Sequence, residues 1–124
     1  MPFEIVVHDT DAIVEIVYPE NPTQEDVAEY VDRVRQIIAR RQGPWSCLVD
    51  QRRLHLMPDR LYEQVAELNV YAQQHGMKQS ARVVSSAVAA VASLQATRMR
   101  RQAALNGPVC TFTSRDDAIA WLRR

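Results

Sequence analysis

The sequence predicts an α/β domain: a mixed, mostly parallel five-stranded sheet with about four helices, in the order ββαβαβαβα. Three observations predict it. The run Pro44-Trp45-Ser46-Cys47-Leu48-Val49-Asp50 is apolar along most of its length and lies between two helix-period segments, as a buried parallel strand does. Short apolar runs and helix-period runs then alternate to the end of the chain, which demands right-handed crossovers and a mostly parallel sheet. The first two apolar runs are joined by a short polar stretch, which makes them an antiparallel hairpin.

The elements follow in order. Phe3 to Val7 reads as a first strand, and His8-Asp9-Thr10-Asp11 as a turn. Ala12 to Tyr18 reads as a second strand, with Glu15 facing outward at an edge, where a charge blocks unwanted strand pairing. Pro19 to Pro22 stops it. Thr23-Gln24-Glu25-Asp26 is a capping-box pattern, and Val27, Val31, Val34 and Ile38 form the inward stripe of a first helix. Arg40 and Arg41 suit its C-terminal end, and Gly43 closes it. The central strand comes next. Pro58 fits the first turn of a second helix, whose inward face is Leu61, Val65, Leu68 and Ala72, and His75-Gly76 ends it. Ser80 to Ser85 is a shorter strand. Ser86 caps a third, Ala-rich helix from Ala87 to about Leu105, broken by Asn106-Gly107-Pro108. Val109 to Phe112 is the last strand. Ser114 caps a short terminal helix anchored by Ala118, Ile119, Trp121 and Leu122.

The 124 residues suffice for a single domain, 1–124, and 47% apolar content argues against disorder. No run is long and apolar enough to span a membrane, and Met-Pro-Phe-Glu-Ile lacks the regions of a signal peptide. Cys47 and Cys110 lie inside apolar runs and read as reduced, buried thiols; together these features predict a cytoplasmic protein. Charge is segregated. Residues 1–32 hold nine acids and no Lys or Arg, whereas residues 33–124 hold six acids and all fifteen basic residues, giving −9 and +9. The plainer reading is two faces that meet on folding; the other is a partner surface.

Ligands of open parallel sheets bind beyond the carboxyl ends of the strands, here Asp50 to Pro58, Ser85-Ser86 and Thr113-Ser114. Asp50 could bind a metal or act as a base, but an acid there more often accepts loop backbone hydrogen bonds. The three glycines, Gly43, Gly76 and Gly107, are too scattered to build a phosphate loop. His8, His55 and His75 share no metal-ligand spacing, so no metal or other cofactor is expected. Ser85 and Ser86 lack the surroundings of a nucleophile elbow. Arg98, Arg100 and Arg101 could meet an anionic partner or simply favour a helix C-terminus. No basic patch is interleaved with aromatics, so nucleic-acid binding is not indicated. The Ala-rich helix, without one clean apolar stripe, suggests a homodimer contact near Ala90 and Ala96.

In the order of its elements, in Leu48-Val49-Asp50 followed by a helix, and in the ending Phe112-Thr113-Ser114-Arg115-Asp116-Asp117-Ala118-Ile119-Ala120-Trp121-Leu122, the chain resembles the STAS or SpoIIAA-like family, anti-sigma-factor antagonists and their relatives. The resemblance implies a non-catalytic regulatory module that binds a protein partner, often under phosphorylation control. The related lipid-carrier fold implies instead a small apolar ligand. The regulated members carry an Asp-Ser-Ser-Gly run, with a phosphorylated serine, at the start of the helix after the central strand. Here that region reads Leu54-His55-Leu56-Met57-Pro58-Asp59-Arg60-Leu61, with no Ser, Thr or Gly. The phospho-switch is therefore not expected; Asp59 could stand near its place as a fixed charge, although a carboxylate in a first helical turn is ordinary. The expected partner surface comprises Asp50, Arg52, Arg53, Asp59, Arg60, Ser85, Ser86, Arg98 and Arg101.

Overall fold

The computed structural model describes residues 3–55, 58–85 and 109–124. Five strands form one sheet in the spatial order β1-β2-β3-β4-β5: β1 Glu4–His8, β2 Ile13–Val17, β3 Trp45–Asp50, β4 Met77–Val83 and β5 Val109–Phe112. β1 pairs with β2 antiparallel, with Val6 opposite Glu15; the other three pairings are parallel. The helices among the described residues are α1 Gln24–Arg40, α2 Asp59–Gln74 and α3 Arg115–Leu122. Among the described residues the helices number three and the elements run ββαβαββα, against the expected four or so helices and ββαβαβαβα. The Ala-rich helix expected over 87–105 falls on residues 86–108, outside the described residues, and with it the contact expected at Ala90 and Ala96.

β3 is buried at all six positions, because helices cover both faces of the sheet. Val14, Ile16, Tyr18, Cys47 and Val49 point to one face and pack with Val27, Tyr30, Val34 and Ile38 of α1 and Leu61, Tyr62, Val65 and Leu68 of α2. Ile13, Leu48, Ala81 and Val83 point to the other and pack with Ala118 and Leu122 of α3. Phe3 stacks on Tyr30 with centroids 4.4 Å apart and meets Tyr18 edge-on. Burial pushes the Tyr18 phenol and the Cys47 thiol each up to about 12, so both stay neutral and Cys47 is not poised as a nucleophile. Cys47 and Cys110 are both free thiols; Cys47 is buried and Cys110 half-buried.

Local chemistry sets the element ends. Thr23 Oγ1 accepts from the Asp26 amide at 3.1 Å, and Asp26 Oδ2 accepts from the Thr23 amide at 3.0 Å, completing the capping box. α1 ends earlier than Gly43: Arg41 is its C-cap in extended backbone, and Gly43, at φ +83°, turns the chain toward β3. Pro58 stands as the N-cap of α2 instead of inside its first turn. β4 begins at Met77, three residues before the expected Ser80. Gly76, at φ +99°, passes directly into the strand, and its carbonyl accepts from the Trp45 amide at 3.1 Å. The neighbouring His75 carbonyl accepts from Trp45 Nε1 at 2.9 Å, which fixes the junction.

Glu15 departs most from expectation. It does not face solvent at an edge; it is 5% exposed. β1 occupies the edge and leaves β2 inside the sheet, while α3 covers the face to which Glu15 points.

Candidate functional site

Alternation along β2 and β3 puts Glu15 and Asp50 on the α3 face of the sheet, with Val17 opposite Asp50 and Glu15 opposite Leu48. Each acid is held by an arginine. Asp50, 5% exposed, takes three hydrogen bonds from Arg52: its amide at 3.1 Å, Nε at 3.0 Å and Nη2 at 2.7 Å. The loop after β3 therefore folds back on the strand end, and both oxygens of the Asp50 carboxylate accept from Arg52. This is the ordinary loop-organising role, joined to an ion pair. The bond to Asp50 holds Arg52 above the usual guanidinium range.

Glu15 is gripped from both sides. Arg115, in the first turn of α3, donates Nε to Oε2 and Nη2 to Oε1, each at 2.8 Å. His8, on the edge strand, lies 2.8 Å from Oε1 through Nε2. The Arg115 bonds pull the Glu15 carboxyl below the usual range against the opposing effect of burial, and His8 adds to them. A small cavity of about 160 Å³ lies beside this cluster, bordered by His8, Asp11, Arg115 and Arg123.

Three ion pairs join the acidic first segment to the basic remainder: Glu15 with Arg115, Asp11 with Arg123 at 2.9 Å, and Asp9 with Arg41 at 3.9 Å. The charge asymmetry is thus answered, at these positions, by folding within one chain.

The expected partner residues divide into groups. Arg52 and Arg53 are exposed on the loop after β3. Asp59 and Arg60 are exposed in the first turn of α2, and Arg60 Nη2 donates to Gln24 Oε1 at 3.0 Å, tying the starts of α2 and α1 together. Ser85 is half-buried just past β4. These positions share the carboxyl end of the sheet. Ser86, Arg98 and Arg101 lie outside the described residues. Asp50 is itself buried, so it shapes this surface through Arg52 and does not form part of it. An open surface hollow of about 610 Å³ at the same end is bordered by Thr23, Gln24, Glu25 and Ala28 of the α1 start. Among the described residues, no group of three His, Cys, Asp or Glu is arranged to hold a metal, and no helix is long and apolar enough to cross a membrane.

Sequence reasoning missed the pairing of Glu15 with Arg115 and His8. The two ends of the ion pair are 100 positions apart, and no local pattern links them. The one signal present was an acid inside an otherwise apolar strand, which implies a partner if the strand is interior.

Comparison with known proteins agrees with this architecture. The SpoIIAA-like family matches residues 13–123. A solved structure, an uncharacterized protein from the DUF3478 family with a SpoIIAA-like fold from Shewanella loihica PV-4, superposes with a TM-score of 0.72. It is 17% identical, and the match covers 97% of this chain and 91% of that one. No curated protein matches.

Proposed function

This chain belongs to the SpoIIAA-like family, and on that footing we propose that it is a non-catalytic regulatory module that binds a protein partner through the carboxyl end of its sheet. The observation that carries this reading is the fate of Asp50. The acid best placed for chemistry is buried and held through both carboxylate oxygens by Arg52, while Arg52, Arg53, Asp59 and Arg60 stand exposed on the loop and helix start that follow it. Charges of both signs at a strand end and a helix start suit specific recognition of a protein surface. Residues 54–61 contain no Ser or Thr, so the partner is not released by a phosphoserine at the start of α2. The soluble domain works in the cytoplasm, where its free thiols stay reduced.

A second reading, carriage of a small ligand, is favoured by the open hollow of about 610 Å³ beside the α1 start, whose volume is that of a small-molecule site. Site-specific photo-crosslinking separates the two. A crosslinking residue replaces Arg53 or Arg60, or, as a control on the far end of α1, Ala39. In native extract the module reading expects protein adducts at 53 and 60 and not at 39. Adducts equally abundant at 39, or none at 53 and 60, would sink it. A small molecule retained through native purification and seen in intact-mass spectra would support the carrier.

A further inference from the structure

The amino end of the sheet, opposite the proposed partner surface, holds a second charged feature. The last two turns of α1 and the β1–β2 turn border an open cleft of about 530 Å³. Arg33, Gln36 and Arg40 line it at helical spacing along one face of α1, joined by Arg41, Gln42 and Asp9. Three guanidiniums face a single carboxylate, so the cleft carries a net charge of about +2. Its only acid among the described residues, Asp9, has a side chain 92% exposed and 3.9 Å from Arg41, a loose pairing. Arg33 and Arg40 make no ion pair with any described residue.

The favourable placement of cations at a helix C-terminus accounts for Arg40 and Arg41. It does not account for Arg33, two turns back. Nor does it account for Arg41 Nε, a buried donor with no hydrogen-bond partner among the described residues, on a side chain only 15% exposed. Buried donors are normally satisfied, so an open one leaves the Arg41 guanidinium short of acceptors, and its terminal nitrogens can find them in the cleft that Arg41 lines.

We infer that this cleft binds a phosphate-bearing small molecule, with Arg33, Arg40 and Arg41 on the phosphate oxygens and the Gln42 amide as a further donor. Guanidinium forks match phosphate oxygens in pairs, and the excess charge matches a dianion. The volume is that of an ordinary small-molecule site. Gln36 contributes less, because its amide already donates to Asp32 at 3.0 Å. The site is separate from the partner surface, so the two proposals stand or fall independently.

Pyrophosphate, titrated into the full chain by calorimetry and followed by arginine Nε–H nuclear magnetic resonance, tests it. Binding is expected with a Kd below about 1 mM. The Arg41 Nε–H signal should shift and exchange more slowly with water. The pair Arg33→Gln and Arg40→Gln should weaken binding at least tenfold, as should Arg41→Gln. Arg33 and Arg40 are exposed, so that pair reads the site even if Arg41→Gln fails to fold. Arg124→Gln, exposed and outside the cleft, should leave affinity unchanged. No binding at 10 mM (roughly ten times that limit), an equal loss in Arg124→Gln, or shifts away from α1 would each overturn the proposal. Sedimentation with phosphatidylglycerol vesicles without pyrophosphate binding would assign the charge to a lipid surface and overturn it too.

Discussion

Removing Arg115 should destabilise the domain in a pH-dependent way. Arg115→Ala deletes two hydrogen bonds and the countercharge of a carboxylate whose side chain is only 7% exposed. Stripping one partner from a fully buried ion pair costs roughly 3–5 kcal/mol. Two features reduce that here. Arg115 is itself 35% exposed, so water already screens the pair, and His8 remains bonded to Glu15. The expected loss is therefore about 2–3 kcal/mol at pH 7.5. The folded-state pKa of Glu15 is depressed, so the pair's stabilisation is fully present above the ordinary carboxylate range and fades as pH falls through the depressed value. In the variant, buried Glu15 without Arg115 is driven toward its neutral form, which acid supplies. The gap between the two proteins should thus narrow on acidification, beginning above the ordinary carboxylate value, where the variant's Glu15 takes up its proton, and continuing toward the depressed value of the native chain. Urea unfolding followed by tryptophan fluorescence at pH 7.5 and pH 4 measures both quantities. A difference under about 0.5 kcal/mol at pH 7.5, or one that does not shrink at pH 4, would refute the reasoning. Replacing Glu15 and Arg115 together by Leu should recover most of the loss, because an apolar pair leaves no charge stranded.

Other perturbations give equally direct readings. Val49→Ala, in the central strand, should cost roughly 1–4 kcal/mol in urea unfolding; a change of only a few tenths would mean that the strand does not anchor the core. Intact-mass and fragment spectra after exposure to native extract should show no phosphate between Leu54 and Leu61, and a phosphate on Ser85 or Ser86 would place a switch at another strand end. A homodimer through the Ala-rich segment should give a light-scattering mass near twice 14.2 kDa at micromolar concentration, falling in Ala90→Arg; a mass of 14.2 kDa throughout dilution excludes it.

What the sequence made legible was whatever its own local chemistry determines. The Thr23–Asp26 capping box, the apolar run at Cys47–Val49 and the Ser114 cap were readable because each element carries its signal within a few residues. What escaped depends on partners far away in the chain. Glu15 alternates as a surface residue would, and only the placement of β1 outside β2 and of α3 beneath it turns that position inward. Tyr30 was passed over in favour of an aliphatic stripe, yet it stacks on Phe3 and is buried, while Val31 is only half-buried. The early start of β4 followed from the Trp45 indole and amide reaching His75 and Gly76, a contact across 30 residues. At the candidate site, the location at the strand ends was readable from topology alone. The pairing of Asp50 with its neighbour Arg52 needed the loop to be seen folding back.

The central claim, that exposed charges at the carboxyl end of the sheet recognise a protein partner, is tested most directly by charge reversal at that surface. The partner captured by crosslinking is titrated calorimetrically against the native chain and against Arg53→Glu with Arg60→Glu. The account predicts at least a tenfold loss of affinity, about 1.4 kcal/mol, with the urea midpoint lowered only slightly. Unchanged affinity in the reversed variant would contradict it.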